Sequence, residues 1–225
     1  QAIDMHNVDA LLLEDRADEA LEQLAKMEKS WEVEWRLAQA MFLQSNSIED
    51  NEKRRLLCRE ALVLAESSFS SSPLSSDAAK TASIIAGSIS ESATSSLEQM
   101  KIGALFKKYL DATIQLLSEP DMVCLHMRGR FSYKVASLSF VEKTLACKLV
   151  GSLPACSYDD ALKDLLAADS IESTIENDFI LAKTYLGKGD KKNARIYFTR
   201  VVERKAETAV HEEMVEESKK RLTKL

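Results

Sequence analysis
The sequence predicts an all-α protein, an α-solenoid of about twelve antiparallel helices. Three observations carry that expectation. Helix breakers are scarce: 225 residues hold six Gly and three Pro, and Ala, Leu, Glu and Lys, which suit helix interiors, dominate. Apolar and small residues recur at helical spacing along most of the chain, and no segment alternates as a strand does. The clearest unit lies at 175–205. There Phe179, Ala182 and Tyr185 mark one helix, Gly187-Lys188-Gly189-Asp190 forms a turn, and Ala194, Phe198 and Val201 mark a second. Ala182 facing Ala194 lets the two helices approach closely, with Tyr185 and Phe198 filling the gaps on either side.

In chain order, Asp4 to Glu14 reads as the first helix, with Val8, Leu11 and Leu12 inward. Asp15-Arg16 turns the chain, and Ala17 to Lys29 returns with Ala20, Leu21, Leu24 and Met27 on one face. Ser30 is an N-cap for a helix to about Gln44 that holds both tryptophans, Trp31 and Trp35. After a break at 46–50, Asn51 to Ser67 is a long amphipathic helix. Residues 67–76 contain seven serines and Pro73, so they read as a loop and a point of subdivision within a single superhelical domain spanning 1–225. Asp77 caps a narrow Ala- and Ser-rich helix to Ser92, and Ser95 to Leu117 follows. Pro120-Asp121 opens a helix to Ser137, and Leu138 to Gly151 is expected to pair with it. Ser157 to Ala168 precedes the 175–205 hairpin. Ala209 to Lys224 closes the chain with the wet outer face that a terminal helix of a stack requires. Stacks of this kind curve and leave a concave side.

Charge is unevenly spread. The net of −6 divides into 9 Lys+Arg against 18 Asp+Glu over residues 1–100, and 21 against 18 over 101–225. Overall acidity argues against a nucleic-acid binder. Within 183–205, however, Lys183, Lys188, Lys191, Lys192, Arg195, Arg200, Arg204 and Lys205 face only Asp190 and Glu203. Arg128, Arg130 and Lys134 add to this candidate basic face, which suits an acidic protein surface or a phosphate-bearing partner. No apolar run reaches the roughly 20 residues of a membrane span. Cys58, Cys124, Cys147 and Cys156 form no CxxC pair and read as small buried hydrophobes of a reduced, intracellular chain. His6, His126 and His211 are dispersed, and His126 reads as a satisfied, partly buried side chain. No phosphate loop, nucleophile elbow or zinc motif is present. The residues therefore point to binding rather than catalysis, with no cofactor and no metal.

The ordered set Leu181-Ala182, Tyr185, Gly189, Ala194, Phe198, Val201 resembles the tetratricopeptide repeat, whose period is about 34 residues. In the copy built on Ala38 and Ala61, the small positions are 23 residues apart instead of 12. That insertion is explained by a second resemblance. Glu34-Trp35-Arg36-Leu37-Ala38, Arg59-Glu60-Ala61-Leu62, Gly129-Arg130-Phe131 after His126, Leu138-Ser139-Phe140, Pro154 followed by Ser157-Tyr158-Asp159-Asp160-Ala161-Leu162, and Ala182-Lys183-Thr184-Tyr185-Leu186 are similar, in order, to segments of the regulator of microtubule dynamics proteins. Residues 78–87 lack the aromatic usual there, and Glu119-Pro120 replaces an Asn-Pro, so the chain is a divergent member. The resemblance implies a microtubule-associated protein, not an enzyme, that acts in spindle organisation and chromosome segregation. It would work in the cytoplasm, on microtubules and at spindle poles, with tubulin, microtubules and other spindle or contact-site proteins as partners. A related branch implies the alternative of a lipid-binding or lipid-transfer module at organelle contacts. A general peptide-binding scaffold is the third reading.

Overall fold
A computed structural model describes residues 5–151 and 153–225; Asp4, expected in the first helix, lies outside them. Every regular element among the described residues is a helix: α1 (Met5–Leu13), α2 (Ala17–Leu24), α3 (Trp31–Ser45), α4 (Asn51–Ser71), α5 (Ser76–Glu91), α6 (Ser96–Leu116), α7 (Met122–Ala136), α8 (Phe140–Val150), α9 (Tyr158–Ile171), α10 (Ile175–Gly187), α11 (Lys191–Glu203) and α12 (Ala209–Leu222). They form two compact units, Gln1–Leu117 and Ser118–Leu225. Within each, most helices pack on their sequence neighbours, the packing of an α-solenoid.

Most helices start where the sequence supplies an acceptor for their orphan N–H groups. Ser30 accepts from the Val33 N–H, Asp50 from Glu52 and Lys53, Ser95 from Glu98, Asp121 from Cys124, Thr174 from Asn177, Asp190 from Asn193 and Thr208 from His211. At α5 the cap is Ser75, which accepts from Ala78; Asp77, expected in that role, sits in the first turn.

In unit 1, Val8, Leu11, Leu12, Ala20, Leu24, Val33 and Ala40 make one core between α1, α2 and α3. Arg36 ties α1 to α3: its Nε and Nη2 donate to the Asp9 carboxylate at 2.6 and 2.9 Å, and its guanidinium lies 4.2 Å over the Trp35 ring. Ala38 and Ala61, both fully buried, meet in a second core with Ala65, Ala82, Ile85, Ala86 and Tyr109. The serine-rich segment departs from its expected loop. Residues 67–71 continue α4, because Ser68 is fully buried and donates to the Trp31 carbonyl at 2.7 Å, while Ser67 donates to Glu34 at 2.9 Å. Only 72–75 connect the helices.

In unit 2, Gly129 of α7 lies against Leu165 of α9, where a Cβ would stand 2.6 Å from Cγ. Gly187 does the same under the Tyr158 ring, at 2.7 Å. Ala182 and Ala194 are fully buried between α10 and α11, and Phe179 meets Phe198 edge to face at 6.4 Å. Tyr185 is only half-buried; it stacks on Tyr197 at 5.6 Å instead of filling the interior. Gly189 has φ +86° in the α10–α11 turn, a conformation that favours glycine. His126 is held by Asn177: its Nδ1 lies 3.0 Å from Oδ1, and the Asn177 Nδ2 donates to the Leu165 carbonyl. That second bond fixes the amide, so Nδ1 carries the proton.

Two expectations fail here. The 138–151 helix was to pair with its predecessor, but α7 packs on α9 and α10, and α8 packs on no other helix among the described residues. Its Phe140, Val141 and Leu145 are exposed while Ala146 is buried, and it is held by a Ser139–Glu142 capping box, Gly151 at φ +85° and the Lys143 ammonium donating to the Ala136 carbonyl at the end of α7. The cysteines also divide: Cys58 and Cys124 are buried, Cys156 is half-exposed, and Cys147 on α8 is exposed.

Candidate functional site
Of the eleven cations expected to form one face, ten fall into three groups and Lys188 stands apart. Arg128, Arg200, Arg204 and Lys183 are engaged within unit 2. Arg128 donates from Nε and Nη2 to both oxygens of buried Asp164, at 2.7 Å each, locking α7 to α9. Arg200 gives Asp169 two bonds, at 2.8 and 3.1 Å. Its Nη2 also lies 2.9 Å from Oδ1 of fully buried Asp178, while the Arg204 Nε donates to Oδ2 at 2.7 Å. The Ser173 hydroxyl accepts from both arginines. This network joins the end of α9, the start of α10 and the end of α11; the helix dipoles favour Asp178 at the start of α10 and Arg200 and Arg204 at the end of α11. Burial pushes the Asp178 carboxyl above its usual range, against the Arg204 hydrogen bond. At Asp169 burial pushes the same way, but the bonds from Arg200 and Ser173 prevail and hold the carboxyl low. Lys183 lies 4.9 Å over the Phe179 ring and 3.8 Å from Glu217 of α12.

Arg130 and Lys134 sit on α7, Arg130 half-buried and Lys134 exposed, and α7 does not pack on α11.

The third group is different. Lys191, Lys192 and Arg195 in the first half of α11, and Lys205 beyond its end, are exposed with no carboxylate within ion-pair distance among the described residues. The fold explains why these side chains face water. Ala194, Phe198 and Val201 take the inward stripe of α11, and Asp190 spends its carboxylate on the Asn193 N–H and side-chain amide. Lys188 in the adjoining turn pairs with Asp159, but both ends are open to water, 45% and 73% exposed, so the pair is weak. Ile196, which the sequence reading passed over, is 49% exposed beside Arg195. The acidic partners of the first group were missed too; they lie 22 to 36 residues from their arginines, a separation that local pattern does not report.

A surface cleft in unit 1 is lined by Asp15, Asp18, Glu19 and Gln44 beside Leu43 and Ile48, a wall unlike the apolar cavity that a lipid chain requires. Among the described residues, no helix is long and apolar enough to cross a membrane, and no three His, Cys, Asp or Glu side chains are grouped to hold a metal ion.

Helices that pack mostly on their sequence neighbours define a protein of the α-solenoid class. The chain belongs to the family of regulators of microtubule dynamics: the profile described as Regulator of microtubule dynamics protein 1-3 matches residues 4–225. Regulator of microtubule dynamics protein 1 of Caenorhabditis elegans is 30% identical over 215 residues, covering 91% of each chain. Protein 2 of Rattus norvegicus is 28% identical over 171 residues, covering 75% of this chain but 41% of that relative. Protein 1 of Mus musculus is 25% identical over 224 residues, covering 95% and 72%.

Proposed function
We propose that this protein binds microtubules directly, acting by attachment rather than catalysis, as a cytoplasmic microtubule-associated protein in spindle organisation and chromosome segregation. The names of its relatives, regulators of microtubule dynamics, support the microtubule part of this reading. One observation carries it to a surface: Lys191, Lys192, Arg195 and Lys205 are exposed, with no carboxylate within ion-pair distance among the described residues, on a chain of net charge −6. Like charges held together on a rigid helix repel one another, and an acidic surface relieves that repulsion. The acidic remainder of the chain disfavours other orientations, so the charge pattern selects one docking pose and steers the encounter.

The test is co-sedimentation with stabilised microtubules of the parent and of a Lys191→Glu/Lys192→Glu/Arg195→Glu variant, with circular dichroism to check folding. The variant is expected to remain in the supernatant at concentrations where the parent pellets. Equal pelleting of a folded variant would show that another surface makes the contact.

A further inference from the structure
We propose that the α11 face takes a flexible acidic peptide segment, with carboxylates on alternate residues and an apolar residue at one end, rather than a folded acidic surface. This rests on the microtubule reading above and specifies what part of the partner is gripped.

The face is small. Three of the exposed cations, Lys191, Lys192 and Arg195, sit on one 13-residue helix, a ridge about 20 Å long and about 10 Å wide. Such a ridge offers far less than the roughly 800 Å² per partner of a stable interface between folded proteins. A single extended strand fits it.

Its spacing suits the same ligand. Lys191 and Arg195 are four residues apart on the helix, about 6 Å along its axis. Alternate side chains of an extended chain are about 6.6 Å apart. Two carboxylates at positions i and i+2 therefore meet the two cations without strain, with Lys192 beside them. Lys188 prolongs the row by one more site, since its pair with the water-exposed Asp159 exchanges readily for an incoming carboxylate. Ile196 suits it too. It follows Arg195 and lies one turn beyond Lys192, half exposed, an apolar spot at the edge of a cationic row. A wholly acidic ligand would leave it unused, and a ligand with one apolar residue would cover it.

The experiment has two arms. In the first, a fluorescent peptide with glutamate at alternate positions and one leucine is titrated with the 225-residue chain, and anisotropy is read. Binding is expected to weaken about tenfold between about 50 and about 300 mM salt. It should fall by a similar factor in the K191E/K192E/R195E variant, fall two- to threefold in Ile196→Ser, and stay unchanged in Lys53→Glu on unit 1. In the second arm, the chain is pelleted with intact microtubules and with microtubules whose acidic carboxy-terminal tails have been removed by limited subtilisin digestion. Loss of pelleting on removal of the tails supports the inference. Equal pelleting on both, or a peptide that does not bind, overturns it while leaving direct microtubule binding in place. No pelleting on intact microtubules overturns both.

Discussion
Toward its end α11 brings Arg200 and Arg204 against Asp169 and Asp178; in its first half it leaves Lys191, Lys192 and Arg195 in water with no ion pair among the described residues. In sequence these are one run of positive charge. In the structure they do two jobs: the arginines hold three helix ends together, and the leading residues form a surface. What separates them is geometry. The arginines' guanidinium forks match carboxylates placed by α9 and α10, whereas the leading cations lie off the apolar stripe of α11 and are exposed to water. A basic cluster therefore has to be reduced by its internal partners before it is read as a binding face.

The comparison can be broken most severely at the paired end. Asp178→Ala removes the fully buried carboxylate that two arginines share and leaves both cations short of a partner. The expected loss is about 2–3 kcal/mol, below the ~3–5 of a wholly buried pair because both arginines reach water. Urea unfolding of the variant checks this, and a change under about 0.5 kcal/mol would mean that the network is ornamental.

At the leading end the effect should appear in binding instead. The K191E/K192E/R195E variant is expected to lose about tenfold in microtubule affinity, which corresponds to about 1.4 kcal/mol. Its urea midpoint should move by less than about 0.5 kcal/mol equivalent. A large stability loss there would erase the distinction between the two ends.

Titration adds a further test of the buried and paired groups. Burial lowers the His126 imidazole, opposed by its bond to Asn177, so the unfolded chain takes up that proton first. Stability from this group is complete well above the ordinary histidine value of about 6.5 and falls as pH drops through that value toward the folded one. His126→Gln should flatten that part of a thermal-midpoint profile. Asp169 and Glu176 have lowered carboxyls in the folded state, so their contribution is full above the ordinary carboxylate range and is lost as pH falls below about 4. Asp178, raised by burial, acts with the opposite sign and softens that acid loss. The smallest effect belongs to Lys188→Ala. Its open pair with Asp159 should give no measurable change in unfolding, with only a slight loss in microtubule pelleting.

Much of the fold was legible because its rules are local. Ser30, Asp121 and Asp190 cap where their positions before apolar runs indicate, and Ala182, Ala194 and Phe198 are buried where their spacing puts them. What escaped depends on contacts between distant segments. Ser67 and Ser68 look like loop residues, yet Glu34 and the Trp31 carbonyl receive their hydroxyls and keep the helix going. Tyr185 has core spacing but finds Tyr197 at the edge. The helix at Phe140–Val150 was found, but not that it packs on no other helix among the described residues. At the candidate site the charge cluster was visible, while its division was not, because Asp164, Asp169 and Asp178 are brought to the arginines only by packing.

The most direct test of the account is a salt series of microtubule pelleting on the parent chain and the α11 triple variant in parallel. The account predicts that the parent binds tightly at low salt and is released as salt rises, and that the folded variant is weak from the outset and nearly insensitive to salt. Parent and variant curves that coincide would contradict it.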